Sequence, residues 1–172
     1  MKPESALLAE LHLRYAYDVE KGGFTRLSGD RRTGHKFIGR PAGRSNGNGY
    51  LLLRLSRRSY YIHRLVWLWF HGEFPTGQID HINRDRLDNR IENLRDATAS
   101  QNRANRPAFG VTFEKGRWVA KAGSENRYLG RFRERDDALK AFQSAHAERF
   151  GEFSPFHATI LGHTKRKIAV SP

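Results

Sequence analysis

The sequence predicts an α+β protein made of two successive modules, and three observations lead to this prediction. Stretches with a helical period are interspersed with short strand-like stretches over the first hundred residues. From Phe109 onward the order becomes three strand-like pieces followed by one helix, which is a small α+β unit in itself. Hydrophobic residues make up 38% of the 172 residues, which is enough to build a core.

The first elements of the chain are predicted from apolar spacing and from glycines. One helical stripe over residues 3–17 carries Leu7, Leu8, Leu11 and Tyr15. Short strands are expected near "FTRL" and "KFIG", and a hairpin of two longer strands is expected in "GYLLLRLSRRSYYIHRL".

The next elements surround a polar segment rich in asparagine. The apolar run from His63 to Gly72 predicts a buried helix that ends at the glycine. A strand, "QIDHI", follows, and Thr98 or Ser100 is expected to cap a helix that Pro107 stops.

The second module is predicted to be a sheet backed by a helix. Its strands are "GVTFEK", "RWVAKAG" and "RYLGRF", and its helix extends from about residue 134 to residue 150. Small side chains on one face, Ala138, Ala141 and Ala145, let that helix lie close to the sheet. The predicted domains are residues 1–106 and 107–153, followed by a loosely ordered basic tail over residues 154–172.

The charge of the chain favours a polyanionic partner. Lys and Arg number 31 against 18 Asp and Glu, which gives a formal net charge of +13. Nucleic acid is the leading partner, although a ribosomal or other RNA-binding protein would carry similar charge. No apolar run approaches the length of a membrane span, and the amino terminus lacks the pattern of a signal peptide. The sequence therefore predicts a cytoplasmic protein that has no membrane contact.

The absence of cysteine limits the kinds of metal site. Disulfides and zinc sites built on Cys are excluded, so a metal would be bound by His, carboxylate or amide oxygen. The adjacent Asp80 and His81, followed within about two dozen residues by Asn83, Asn89, Asn93, Asn102 and Asn105, offer such groups.

Three stretches of the chain, "HRLVWLWF", "IDHINRDRLDNRIENLR" and "ASQNRAN", closely resemble the HNH endonucleases. The resemblance is to the branch that includes phage intron-encoded homing endonucleases, in which asparagine replaces the final histidine, and it extends over roughly Tyr15 to Asn105. It implies a ββα-metal (His-Me finger) nuclease module with its core at about residues 62–106.

The chemistry of phosphodiester hydrolysis agrees with this resemblance. Adjacent side chains at the end of a strand point to opposite faces, which suits two different roles. Asp80 is expected to hold a divalent metal, while His81, with an ordinary pKa of about 6.5, accepts the proton of the attacking water. The cleavage rate is then expected to rise with pH near that value.

The resemblance supplies the two remaining site residues. The second metal ligand of the family matches Asn102, and its middle asparagine matches Asn93, which is expected to bond the loop backbone and to fix the orientation of His81. A site of Asp and Asn oxygens suits one Mg²⁺ or Mn²⁺ ion.

Several neighbouring polar residues are interpreted as structural. Asn83, Asp88 and Asn89 are predicted to be turn residues, because their side chains bond their own backbone. Asn105 is predicted to be a helix-end residue. His63 is interpreted as a core histidine beside Arg64, and the alternative is a group that supports the site without contacting substrate.

Residues from Gly110 to about Phe153 resemble the DNA-binding domain of plant ethylene-response factors. The resemblance implies that the sheet, and not the helix, lies in the major groove of DNA. Two departures, Thr112 after "GV" and Lys121 on the second strand, mean that base preference does not carry over. The outward residues expected to contact phosphates and bases are Thr112 and Glu114 together with four basic side chains, Arg117, Lys121, Arg127 and Arg131.

Together these features predict a metal-dependent DNA endonuclease of homing type that acts on double-stranded DNA. It could act as a monomer, which would nick one strand, or as a DNA-induced dimer. The alternative is a catalytically inactive DNA-binding regulator that uses the carboxy-terminal sheet.

Overall fold

The computed structural model describes residues 3–29, 35–106, 110–123 and 125–161. The chain folds into two compact units, Met1–Ala97 and Thr98–Pro172. The division predicted at residue 106 stays a prediction. The helices and strands are α1 Pro3–Arg14, β1 Tyr15–Asp18, β2 Gly23–Arg26, β3 Pro41–Ala42, β4 Arg44–Ser45, β5 Leu51–Leu55, β6 Arg58–Tyr61, α2 Ile62–His71, β7 Gln78–His81, β8 Leu94–Ala97, α3 Ala99–Ala104, β9 Val111–Glu114, β10 Arg117–Ala122, β11 Arg127–Phe132, α4 Arg135–Phe150 and α5 His157–Leu161.

The strands form small antiparallel sheets, so the predicted mixture of helices with such sheets is confirmed. In the first unit, β1, β2 and β3 form one sheet, β4, β5 and β6 a second, and β7 and β8 a two-stranded third. In chain order β7, β8 and α3 give two strands and a helix. Whether they adopt the ββα-metal arrangement stays a prediction.

Helix α2 lies at the centre of the first unit's core. Its residues Leu65, Val66 and Leu68 are fully buried, and they belong to one cluster with Leu11 of α1 and Phe24 of β2. The helix ends where predicted: Gly72 takes the left-handed conformation, with φ of 75°, and its N–H donates to the carbonyl oxygen of Leu68 at 2.9 Å.

Two predicted elements of the first unit are wrong. The helix predicted over residues 3–17 ends at Arg14, because Tyr15–Asp18 pair with Gly23–Arg26 as a strand. The segment "KFIG" forms turns instead of a strand; the N–H of Ile38 donates to the carbonyl oxygen of His35, and Gly39 has φ of 76°. Strand β8 was not predicted, since "LRDA" is short and half polar.

The second unit has the predicted order of three strands and a helix. Strand β10 lies between β9 and β11, and Ala120 and Ala122 pack against Ala138 and Phe142 of α4. Gly110 permits this packing, because a methyl group there would lie 2.2 Å from the carbonyl oxygen of Lys121.

The carboxy-terminal tail was only partly predictable. Helix α5 occupies a part of the segment that was predicted to be loosely ordered, so that prediction is wrong there. Residues 162–172, like Pro107, lie outside the described residues. Among the helices described, none is long and apolar enough to cross a membrane.

The turn between β1 and β2 packs against the segment between β7 and β8. A methyl group on Gly22 would lie 2.2 Å from the backbone nitrogen of Arg90 and 2.5 Å from the carbonyl carbon of Asn89. The hydroxyl of Tyr17 donates to the carbonyl oxygen of Asn89 at 3.4 Å, and burial raises the pKa of Tyr17 to about 12. This turn therefore supports the backbone at Asn89.

We expect Gly22→Ala to lower the free energy of unfolding by about 1–3 kcal/mol, because the methyl group meets backbone and φ at this position is +62°. Thermal or chemical unfolding measures the effect. Gly23→Ala is the matched control, since a methyl group there meets no atom within 4 Å. Equal stability of the two variants would contradict the close packing of this turn.

Candidate active site

Strands β7 and β8 form a hairpin that carries the predicted site residues Asp80 and His81 at the end of its first strand. Asp80 pairs with Arg95 and His81 with Leu94 in the antiparallel register. The connecting segment, residues 82–93, is closed by a hydrogen bond from the N–H of Ile82 to the carbonyl oxygen of Asn93 at 2.9 Å. We call these residues the hairpin loop.

Asn93 ties the hairpin loop together from within. Its Oδ1 accepts a hydrogen bond from the N–H of Asn83 at 2.9 Å, and its Nδ2 donates to the carbonyl oxygen of Asp88 at 2.7 Å. Nδ2 also donates to Oδ1 of Asn83 at 2.9 Å. These are bonds to the loop backbone of the kind expected from the sequence, although the catalytic role of Asn93 stays a prediction.

Other polar residues of the hairpin loop shape its turns. The side chain of Asn83 accepts from the N–H of Asp85 at 2.8 Å, and that of Asp85 accepts from the N–H of Leu87 at 2.9 Å. Asp88 accepts two hydrogen bonds from the guanidinium of Arg90, which lower the pKa of its carboxyl to about 2. Asn83 and Asp88 are therefore turn residues, as predicted.

Asn89 bonds the local backbone as predicted for a turn residue, and it has a second role that was not predicted. It is only 1% exposed, and its Oδ1 lies 3.1 Å from Nε2 of His81. Its Nδ2 donates to the carbonyl oxygen of Leu87 at 3.1 Å, which leaves Oδ1 to accept. The hydrogen of neutral His81 is therefore on Nε2, and the lone pair is on Nδ1. Asn89 is thus a direct partner of the His81 ring, while the orienting role expected of Asn93 stays a prediction.

His81 is buried among other rings, and this changes its acidity. His63 lies edge-on to it, with ring centres 5.3 Å apart, and the ring of Tyr50 lies 6.3 Å away. Burial lowers the pKa of His81 below its ordinary value, although the hydrogen bond to Asn89 partly offsets the shift. The neutral imidazole therefore predominates down to a lower pH than the pKa of about 6.5 assumed from the sequence would allow.

His63 packs in the core, as predicted, while touching the site. It is 8% exposed and stacks on Tyr61, with ring centres 5.2 Å apart. Burial, together with the nearby His81 and Arg64, lowers the pKa of His63 to about 3. His63 is therefore neutral wherever the protein is folded near neutral pH, and it adds no charge beside His81.

Asp80 is buried and paired with a cation that the sequence analysis did not single out. Its Oδ2 accepts from Nε of Arg95 at 2.8 Å and lies 2.7 Å from Nη2 of the same guanidinium. Arg95 stands directly opposite on β8, so the strand register creates the pair. The pair orients the carboxylate, which limits the directions from which a metal ion could approach.

The described residues contain no group of three or more His, Asp and Glu side chains that could hold a metal. A carboxylate, an amide oxygen and several waters would still form the hard-oxygen environment that Mg²⁺ accepts. Asn102, the predicted amide ligand, lies on α3 in the second unit. That helix starts at Thr98 with a capping box, in which Thr98 and Gln101 bond each other's backbone N–H groups.

The predicted DNA-binding residues of the second unit do not share one face. Residues opposite each other in an antiparallel pair lie on the same face, and Arg131 stands opposite Val119 on β10. Because side chains alternate along β10, Arg117 and Lys121 also lie on this face. It is directed away from α4, and we call it the outer face. Arg127 stands opposite Ala122, so its side chain starts on the face toward α4. The grouping of Arg127 with the other three is therefore corrected.

The outer face also carries Tyr128, which the sequence analysis did not single out, and Glu114, which it did. Tyr128 stands opposite Lys121 and is 58% exposed. Glu114 accepts from the hydroxyl of Thr112 at 2.9 Å and lies 3.4 Å from Nζ of Lys121. These interactions lower the pKa of Glu114, so an ionised carboxylate reduces the positive charge of this face.

Comparison with known proteins supports one segment of the chain. Residues 60–104 match the family model of the HNH endonucleases. No curated protein and no solved structure matches the chain. The matched segment includes the paired strands β7 and β8, the His81–Asn89 pair and Asp80. The match supports an HNH nuclease, an enzyme that cleaves DNA.

Proposed function

We propose that the chain is a metal-dependent DNA endonuclease of homing type that hydrolyses phosphodiester bonds of double-stranded DNA. One observation carries the proposal: a buried His81, whose Nε2 is held by Asn89, stands next to a buried Asp80 inside the segment that matches the HNH family. A histidine with only a structural role in the core would need neither the adjacent carboxylate nor a hairpin loop built around it.

His81 acts as the general base in this proposal. With its hydrogen on Nε2, the ring accepts the proton of the attacking water at Nδ1. Asn89 stabilises the imidazolium that results, because its carbonyl oxygen accepts from Nε2 in both protonation states. The lowered pKa of His81 keeps the base neutral and ready near neutral pH, at the expense of proton affinity.

Asp80 and Asn102 are the proposed ligands of one divalent ion, Mg²⁺ or Mn²⁺. When bound, the ion supplies charge that polarises the phosphate and stabilises the departing 3′ oxygen. Asp80 contributes the carboxylate, and Arg95 holds it in one orientation. Asn93 keeps the hairpin loop in the conformation that presents His81.

The outer face of the carboxy-terminal sheet is the proposed DNA reader. Arg117, Lys121 and Arg131 carry positive charge there, and Tyr128 adds an exposed ring. Cations on such a face neutralise phosphates, while the ring packs against sugar or base. Arg127 adds charge near the same strand but from the other face.

His81→Ala should abolish nicking of supercoiled plasmid in the presence of Mg²⁺, with a loss of about 10²–10⁴-fold in rate, while DNA binding stays nearly unchanged. Asn89→Ala should lower the rate as well, since the ring loses its hydrogen-bond partner. Gel analysis of plasmid forms and a binding assay measure the two effects.

His71→Ala is the control for this experiment, because His71 is an exposed histidine at the end of α2. A wild-type protein that binds plasmid but never nicks it would favour the inactive regulator. An unchanged rate in His81→Ala would remove His81 from the mechanism.

Removing the charged metal ligand should raise the metal concentration needed for cleavage more than removing the neutral one. Asp80→Asn keeps an acceptor for Arg95 but removes the carboxylate, so we expect it to require far more Mg²⁺ or Mn²⁺ than Asn102→Ala does. The measurement is the cleavage rate against metal concentration. Glu92→Gln, which alters an exposed carboxylate of the hairpin loop, is the control. Full cleavage in excess chelator would overturn the metal's role.

Substituting single cations should show which face of the carboxy-terminal sheet binds DNA. We expect Arg117→Gln, Lys121→Gln and Arg131→Gln each to weaken DNA binding and to reduce the salt slope of log K by about 0.9 for each phosphate that is no longer neutralised. Arg127→Gln is the matched control on the opposite face and should change the slope less. Identical slopes for all four variants would reject the outer face as the DNA reader.

A further inference from the structure

Arg86 is a loop arginine that the mechanism above does not use, and it shares one neighbouring ring, that of Tyr50, with His81. Its guanidinium carbon lies 4.8 Å from the centre of the Tyr50 ring. The same ring has its centre 6.3 Å from that of His81. One aromatic side chain therefore lies next to both the exposed guanidinium and the buried imidazole.

The position of Arg86 is fixed by a second interaction, with the turn that carries Tyr50. Nη1 of Arg86 donates to the carbonyl oxygen of Asn48 at 3.1 Å. That turn is itself held by hydrogen bonds, because Oδ1 of Asn46 accepts from the N–H groups of Asn48 at 2.8 Å and of Tyr50 at 3.1 Å. The Arg86 side chain is thus already ordered, so a ligand that binds it does not have to restrict the motion of this long side chain.

The guanidinium has no carboxylate partner within the described ranges, although two lie near it in the hairpin loop. Asp88 is paired with Arg90 at 2.7 Å, and Asp85 accepts from the N–H of Leu87. The ion pairs among described residues do not include Arg86. A guanidinium has five N–H donors, and the bond to Asn48 uses one of them. The exposed remainder suits an anionic group that offers two oxygens, such as the non-bridging oxygens of a phosphodiester.

We infer that Arg86 binds a backbone phosphate of the DNA strand held at His81, either at the scissile bond or directly beside it. The inference rests on the proposed function, since it takes DNA as the substrate. A guanidinium that is stacked on a ring and exposed on its outer side presents two parallel donors, which match two phosphate oxygens. Arg86 thereby positions the strand, while His81 acts on the water.

The test is a phosphate-neutralisation cycle that requires no cleavage. The His81→Ala protein, with and without Arg86→Gln, is titrated with short duplexes that each carry one neutral methylphosphonate linkage, moved along the strand. With Arg86 present, neutralising the contacted phosphate should weaken binding about tenfold, whereas with Arg86→Gln the same linkage should have little effect. The sensitive phosphate should be at, or next to, the nick mapped with wild-type protein.

Arg84→Gln is the matched control, because Arg84 is an exposed arginine of the same hairpin loop without the Tyr50 interaction. Its methylphosphonate profile should match that of the unsubstituted protein. Equal profiles for Arg86→Gln and the unsubstituted protein, or the same loss in Arg84→Gln, would overturn the inference. A protein that shows the coupling but never nicks DNA would overturn the endonuclease function and leave the Arg86–phosphate interaction standing.

Folding of each variant is checked by its melting transition. If Arg86→Gln does not melt cooperatively, Arg86→Met replaces it, since methionine keeps an unbranched stem against Tyr50 and removes the charge. The expected loss of coupling is the same, and a retained coupling in that variant would overturn the inference equally.

Discussion

The position of His81 depends on a hairpin loop whose polar groups are satisfied by asparagine side chains. Twelve residues separate the paired strands, which is too many for a tight turn, so the loop needs internal hydrogen bonds. Asn93 supplies them at the base, and Asn89 turns its oxygen inward to the ring. An amide can donate and accept at once, and a carboxylate or a lysine could not replace it at either place.

The register of β7 and β8 directs the charged Asp80 and the neutral His81 to different partners. Asp80 and His81 are neighbours on β7, yet the carboxylate meets Arg95 across the ladder while the ring meets Asn89 in the loop. The charge of Asp80 raises the pKa of His81, but burial has the larger effect, so the pKa lies below its ordinary value.

The sequence predicted those features that rest on strong local signals. The apolar run and its glycine predicted α2 and its end, and Thr98, one of the two caps considered, does begin α3. Features that depend on long-range pairing were missed. Tyr15 has the spacing of a helical stripe, but its backbone pairs with Arg26; β8 is a strand only because β7 lies beside it.

The same limit applies to individual side chains. Asn89 looks like any turn asparagine until the loop closes and buries it, and Arg95 looks like any surface arginine until the register places it opposite Asp80. Arg127 was assigned to the wrong face because the sheet register shifts between Ala120 and Lys121, which a strict alternation in the sequence does not show.

The protonation state of His81 tests the account most directly, because the general-base role and the loop geometry both require it. Nitrogen-15 NMR of the imidazole, at neutral pH and without metal or DNA, reports which nitrogen carries hydrogen. We expect a neutral ring protonated at Nε2, with a pKa below the ordinary value of about 6.5. A ring protonated at Nδ1, or an imidazolium at neutral pH, would contradict it.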